Sequence, residues 1–396
     1  MMKRTATTLK DLLKGVSPSL LSLSFNLFGI LAGSVIAIHY SFITANPWTL
    51  VVYPGILSIR GAIGGVYSGR LGTALHLGTI RPTFRDNTKE SMTLLSSIIT
   101  LTLISGLILG IVASLFLYFF VKVSTHDVLL TILVIVATMA VSILVISPIT
   151  YVISIFSFKK GLDPDVIVYP IMSTVADVII TVCYIIMIKS AFVNHLIIGI
   201  IDLVYVLLVV RIIFRNYGDM EYVKTIKEFM ITLVIVSIIV NITGSALGGF
   251  THRIGIMREV LAVYPAVIDT VGDVGAIVGS TATTKIMLGL MSPSLHDIRT
   301  HSSQIFNTWA ASLILFVAYS IVSSAMFGLD KLSRLMPLLV TVNVIVVPII
   351  VLVSIIIAML TSRRGWNPDN FITPIESVLS DGLTTLAILS VLYIWK

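Results

Sequence analysis

Residues Gly161–Asp177 read GLDPDVIVYPIMSTVAD, and residues Gly365–Asp381 read GWNPDNFITPIESVLSD. Seven of the seventeen aligned positions are identical, including both prolines and the closing aspartate. Each stretch opens polar and runs into apolar sequence. Counted from Asp165 or Asp369, the closing carboxylate lies about 18 Å along a helix, at ~1.5 Å per residue. A bilayer core is about 30 Å thick, so both acids sit near its middle. There a charge costs about 2.5–3.5 kcal/mol even on the lenient insertion scale. An acid placed at that depth twice implies a recipient: a cation, a water-filled cavity or a basic partner.

The rest of the chain supports a membrane setting. It is 57% hydrophobic and 11% charged over 396 residues, whereas a soluble domain carries roughly a quarter charged residues. Apolar runs give expected spans near 17–40, 48–78, 91–121, 128–157, 165–188, 193–213, 229–251, 259–289, 303–327, 333–360 and 369–394. The fold class is therefore an all-α polytopic membrane protein of about eleven transmembrane helices. The basic start, with its long following apolar run, does not read as a cleavable signal. The single cysteine, Cys183, excludes an intramolecular disulfide and a Cys-rich metal site. A net charge of +7 in such a chain marks cytoplasmic loops rather than a nucleic-acid partner. With the N-terminus inside, sixteen Lys and Arg fall on cytoplasmic segments and seven outside. That bias predicts a cytoplasmic N-terminus and an extracellular C-terminus, and the expected location is the plasma membrane.

The halves repeat. Asn26–Gly29 (NLFG) returns as Asn241–Gly244 (NITG), and Val51–Gly69 returns as Ala262–Ser280 with the Tyr-Pro pair in register. Together with the opening motif, these matches keep their order through the chain. They predict two five-helix repeats, 17–190 and 217–396, joined by a linker helix within 191–216. An odd linker span makes the repeats parallel, related by an axis along the membrane normal. The result is a pseudo-dimer within one chain, expected to work as a monomer.

Counting inward from Glu259 places Asp269 about 15 Å and Asp273 about 21 Å deep. Asp177, Asp381, Asp269 and Asp273 thus share one level, where an axial pathway between the halves would receive a cation. Their bland alternative is structural ion pairing, with Arg60 as the basic group at a similar depth. On that reading Arg60 pairs with Asp269 or Asp273 and leaves Asp177 and Asp381 to the ion. The second spans are rich in glycine, among them Gly61, Gly64, Gly272 and Gly275. Close packing and a helix broken after its proline, with carbonyls facing a cavity, both account for them. Carboxylates, carbonyls and hydroxyls without thiolates suit a hard ion such as Mg2+, which keeps much of its water. The seven histidines lie mostly near span ends and read as interface residues. Asp163, Asp165 and Asp369 read as helix-start residues, Glu376 as a feature of one repeat only, and Asp202 on the linker as a packing or polar contact.

These motifs resemble the membrane domain of MgtE-type magnesium channels and, more closely, solute carrier family 41, in which two such domains are fused. The resemblance covers most of the chain, and the paired fifth-span motif is its most specific part. It implies divalent cation transport without catalysis or a prosthetic group, the partners being the metal ion and the bilayer. Asp177 and Asp381 would hold a hydrated ion in a central pathway, with Gly61, Gly64, Gly272 and Gly275 lining it. Three departures stand out. The family's second-span Gly-Asn is here Gly61-Ala62 and Gly272-Asp273. Arg60 sets a positive charge on the ion's route, and no sensor domain precedes the first span. Two other readings compete: a proton- or sodium-coupled carrier of another substrate, and an intramembrane aspartyl protease using a carboxylate pair.

Overall fold

In lipid every backbone N–H and C=O must be satisfied within the chain, so long apolar runs fold as helices. The structure is a computed structural model and describes residues 9–84, 86–160, 164–254, 257–287, 289–292, 294, 301–363 and 369–395, with no strand among them. Nine helices among the described residues are long and apolar enough to cross a membrane, and they fall on nine of the expected spans. The other two expected spans, 229–251 and 369–394, also fall on helices. The first lies within a helix Met220–Ile254, and Val378–Ile394 forms the apolar part of the second.

The chain divides into two compact units, Leu31–Ile256 and Met1–Ile30 with Met257–Lys396. They are called here the first-repeat and second-repeat units. The first-repeat unit contains most of α2 (Gly29–Ile38), then α3 (Tyr40–Ala45), α4 (Pro47–Leu77), α5 (Lys89–Phe116), α6 (Thr125–Lys159), α7 (Pro164–Val193), α8 (His195–Asn216) and α9 (Met220–Ile254). Helix α4 packs against α5, α6, α7 and α9. The expected linker is α8, which lies against α5, α6 and α7. It is the least buried of the nine spans, and Leu196, Ile200, Leu203, Leu207 and Phe214 stand exposed along it. An apolar face of that extent belongs against lipid.

The second-repeat unit contains α1 (Leu9–Ser24), α10 (Arg258–Met287), α11 (Ser302–Phe327), α12 (Leu332–Arg363) and α13 (Asp369–Ile394). Helix α10 packs against α11, α12 and α13, while α1 packs on α11.

Compact units and sequence repeats thus cut the chain differently, because the first helix of each repeat sits among helices of the other. Two glycines allow it. At Gly244 of α9 an added methyl would lie 1.8 Å from the Val51 carbonyl oxygen of α4. At Gly29, where α2 begins, it would lie 3.0 Å from the Ala266 Cα of α10. These are the glycines that close the NLFG and NITG matches. Polar contacts fix the same arrangement. Lys89 at the start of α5 pairs with Asp219 just before α9 at 3.1 Å, and Ser19 of α1 meets Thr308 of α11 at 3.2 Å.

The expected break after the second-span proline is absent. Helix α4 continues through Pro54 and α10 through Pro265. The break falls in the first span, where Phe25–Phe28 form a 3-10 turn between α1 and α2. Neighbouring packed helices let a transmembrane helix absorb a proline without unwinding.

Candidate cation site

In each unit the second helix of a repeat meets the fifth. Tyr53 of α4 bonds Thr181 of α7 at 3.0 Å, and its counterpart Tyr264 of α10 bonds Thr385 of α13 at 2.7 Å. Each threonine lies one helical turn beyond the closing aspartate of its motif. The same buried bond therefore registers both helix pairs. Around this shared frame the two units differ.

In the first-repeat unit Arg60 is 9% exposed and Asp177 1%, and the guanidinium Nη2 donates to the Asp177 carboxylate as an ion pair. This overturns the expected pairing of Arg60 with Asp269 or Asp273. Depth alone made all three acids equivalent, whereas the packing of α4 on α7 turns Arg60 toward Asp177. Arg60 Nε has no hydrogen-bond partner among the described residues. Gly61 has nothing within 4 Å of an added methyl, and Gly64 only an Arg60 Nη1 at 4.0 Å. Both line a cavity of about 30 Å3 with Ser142, Thr150, Met172 and Ala176, room for about two waters. These two glycines border open space in this unit.

In the second-repeat unit the glycines are contacts instead. A methyl on Gly272 would lie 3.0 Å from Ser380 Oγ, and one on Gly275 would lie 2.6 Å from Ile350 Cγ2. Asp273 accepts from Asn26 Nδ2 at 2.7 Å, and Asn26 also reaches Thr270 at 3.4 Å. Thr270 is bonded in turn to Tyr319 of α11 at 2.6 Å. Asn26 was legible only as a repeat marker. Its role depends on the 3-10 turn that carries it and on α1 lying in this unit.

Glu376 and Asp381 are both buried on α13. Both Glu376 oxygens lack a hydrogen-bond partner among the described residues. Ser354 of α12 donates to the Ile350 carbonyl at 2.9 Å.

Of the four acids expected at one level, Asp177 belongs to the first-repeat unit, and Asp269, Asp273 and Asp381 to the second-repeat unit. No three His, Cys, Asp or Glu side chains among the described residues are grouped to hold a metal ion. Asp202 of α8, expected as a packing or polar contact, is buried, and its carboxylate has no hydrogen-bond partner among the described residues. Asp163 lies outside the described residues, as do the side chains of Asp165 and Asp369.

The histidines also include an exception. His301, just before α11, is fully buried. Its Nδ1 accepts from Lys285 Nζ at 2.9 Å and its Nε2 donates to the Val278 carbonyl at 3.2 Å. Burial and the Lys285 ammonium hold the ring below the usual histidine pKa. A base with a depressed folded pKa contributes stability that is complete above its unfolded value and lost as pH falls through the folded one. The apparent Tm in detergent should therefore drop as pH falls below about 6.5, and His301→Gln should flatten that drop. An unchanged pH profile in the variant would show that His301 is not the group responsible.

Nine of the described helices are long and apolar enough to cross a membrane, and acids are buried at repeated positions. The sequence profile of the MgtE family, described as divalent cation transporters, matches residues 53–187 and 264–391, more than half of the chain. This chain belongs to the MgtE divalent cation transporter family. The two matched segments begin at Tyr53 and Tyr264, the residues that make the equivalent interhelical bonds. The family is one of transporters, which removes the protease reading. No curated protein and no solved structure matches the chain.

Proposed function

We propose that this protein moves divalent cations across the plasma membrane, with Mg2+ the ion best suited to its donors, and that the ion meets the closing aspartates Asp177 and Asp381. Asp269 and Asp273 add negative charge from α10, and the glycines Gly61, Gly64, Gly272 and Gly275 bring the second helices to the same level. The observation that carries this reading is the equivalent Tyr–Thr bond in both units, which registers each buried aspartate against a second helix. Oxygen donors without thiolates favour a hard cation. Mg2+ keeps several of its waters and binds through few carboxylates, which suits a site of paired aspartates. The Lys and Arg bias places the N-terminus in the cytoplasm and the C-terminus outside.

Purified protein in liposomes loaded with a Mg2+-sensitive dye should admit Mg2+ along its gradient. Asp381→Asn keeps size and polarity but removes a charge, and should cut the rate by about tenfold or more. Asp202→Asn, on the peripheral α8, should leave it unchanged. Absence of divalent flux from inserted, folded protein would refute the transport reading. Equal rates in wild type and Asp381→Asn would return that acid to a structural role.

A further inference from the structure

The Asp177 carboxylate proposed to meet the ion already holds a cation of the chain's own. Arg60 Nη2 donates to it, and Asp177 is 1% exposed. A divalent ion that reaches Asp177 must therefore displace the guanidinium. A displaced guanidinium needs acceptors elsewhere, because a buried charge without them is very costly. The surroundings of Arg60 supply them.

Arg60 lines the cavity of the first-repeat unit, and its Nε has no hydrogen-bond partner among the described residues. Three buried hydroxyls line the same cavity: Ser68 of α4, and Ser142 and Thr150 of α6. Each donates to its own helix. Ser68 bonds the Gly64 carbonyl at 3.0 Å, Ser142 that of Met139 at 3.1 Å, and Thr150 that of Ile146 at 3.0 Å. A hydroxyl that has given up its one proton can only accept, whereas a guanidinium has five N–H donors and no acceptor. The lining therefore matches the Arg60 head. Space is kept for it as well. A methyl on Gly64 would meet only Arg60 Nη1, at 4.0 Å, and one on Gly61 would meet nothing within 4 Å. Both glycines line the cavity, so neither position puts a side chain in the way of the guanidinium. In the second repeat the position of Arg60 is Val271, and Gly272 and Gly275 are closed by Ser380 and Ile350. The arrangement is the first repeat's own.

We propose that this cavity is a second seat for the Arg60 guanidinium, and that the transported cation exchanges with Arg60 at Asp177. Arg60 is then a specificity-determining residue. Tethered to α4, it competes for Asp177 at the effective concentration of an intramolecular group. A divalent ion carries twice its charge and is attracted twice as strongly at equal distance. It displaces the guanidinium where a monovalent ion does not. The seat receives the displaced head among oxygens that can only accept, and the ion pair re-forms when the ion leaves. The proposal rests on the transport reading above and adds what controls access to one of its acids.

The test uses the full-length protein with Mg2+ and Na+ as probes. It is read by flux in liposomes and by the ion concentration that gives half of the Tm rise in detergent. Arg60→Gln removes the competitor. It should lower the half-effective Mg2+ concentration by about tenfold and let Na+ raise the Tm, which Na+ does not do in the wild type. Ser142→Ala with Thr150→Val removes two acceptors of the seat and leaves the ion pair in place. That variant should raise the half-effective Mg2+ concentration by about threefold or more, and it decides the matter if Arg60→Gln does not fold. An unchanged or higher Mg2+ requirement in folded Arg60→Gln would overturn the proposal, by showing that the ion pair is structural. So would an unchanged requirement in the cavity variant, or Na+ without effect on Arg60→Gln. In each case wild-type Mg2+ flux would leave the transport reading standing, whereas absence of wild-type flux would remove that reading and this inference with it.

Discussion

Arg60→Ala is expected to lower stability by about 3–5 kcal/mol, because it leaves the Asp177 carboxylate buried without its partner. Asp177 is 1% exposed, so water cannot replace the guanidinium without opening the contact between α4 and α7. Adding Asp177→Asn removes the stranded charge and should recover most of the loss. Adding Asp269→Asn or Asp273→Asn should recover none, since the guanidinium's ion pair is with Asp177. Unfolding of the purified protein in a graded denaturing detergent measures all four variants. Additive losses for Arg60 and Asp177 would mean that the pair does not contribute as a pair.

Gly244→Ala is expected to be the most damaging single-methyl change at any of the glycines described above. The new carbon would fall 1.8 Å from the Val51 carbonyl oxygen. That atom is helical backbone and cannot rotate away, so α9 must lift off α4. Overpacking a core usually costs about 1–3 kcal/mol, and a clash with backbone belongs at or above the top of that range. Gly29→Ala, at 3.0 Å from the Ala266 Cα, should cost less. Gly61→Ala, with nothing within 4 Å, should cost little beyond narrowing its cavity. Yield of folded protein and detergent unfolding should rank the three in that order. A Gly244→Ala protein as stable as wild type would mean that the first helices are not packed as described.

The helices were legible because apolar runs and polar breaks set span ends almost without reference to tertiary structure. Lys89 to Phe119 and Ser302 to Phe327 lie close to where hydropathy puts them. The repeat was legible from three matched segments, and Tyr53 and Tyr264 turn out to bond in the same way. Partner choice was not legible. Arg60, Asp269 and Asp273 share a depth, but a one-dimensional reading gives no direction around the helix axis and does not say which helices are neighbours. For the same reason Asn26 passed as a repeat marker and His301 as an interface residue. Glu376 was visible as an asymmetry between repeats, while its burial required the packing of α12 and α13. The exchange of first helices had a trace in Gly29 and Gly244, whose tight contacts only the fold explains.

That exchange has a consequence for synthesis. Helix α1 leaves the ribosome first, yet its packing partner α11 spans Ser302–Phe327. At about 5–20 residues per second, the interval between them is on the order of tens of seconds. Through that time the first helix must persist in the bilayer without its native neighbour, while the unit ending at Ile256 already holds all its own helices. The second-made half of the chain is therefore the one that must wait on the first-made helix being correctly stored. Nascent chains arrested before residue 302 should expose α1 to lipid-phase crosslinkers, and chains extended past residue 327 should shield it.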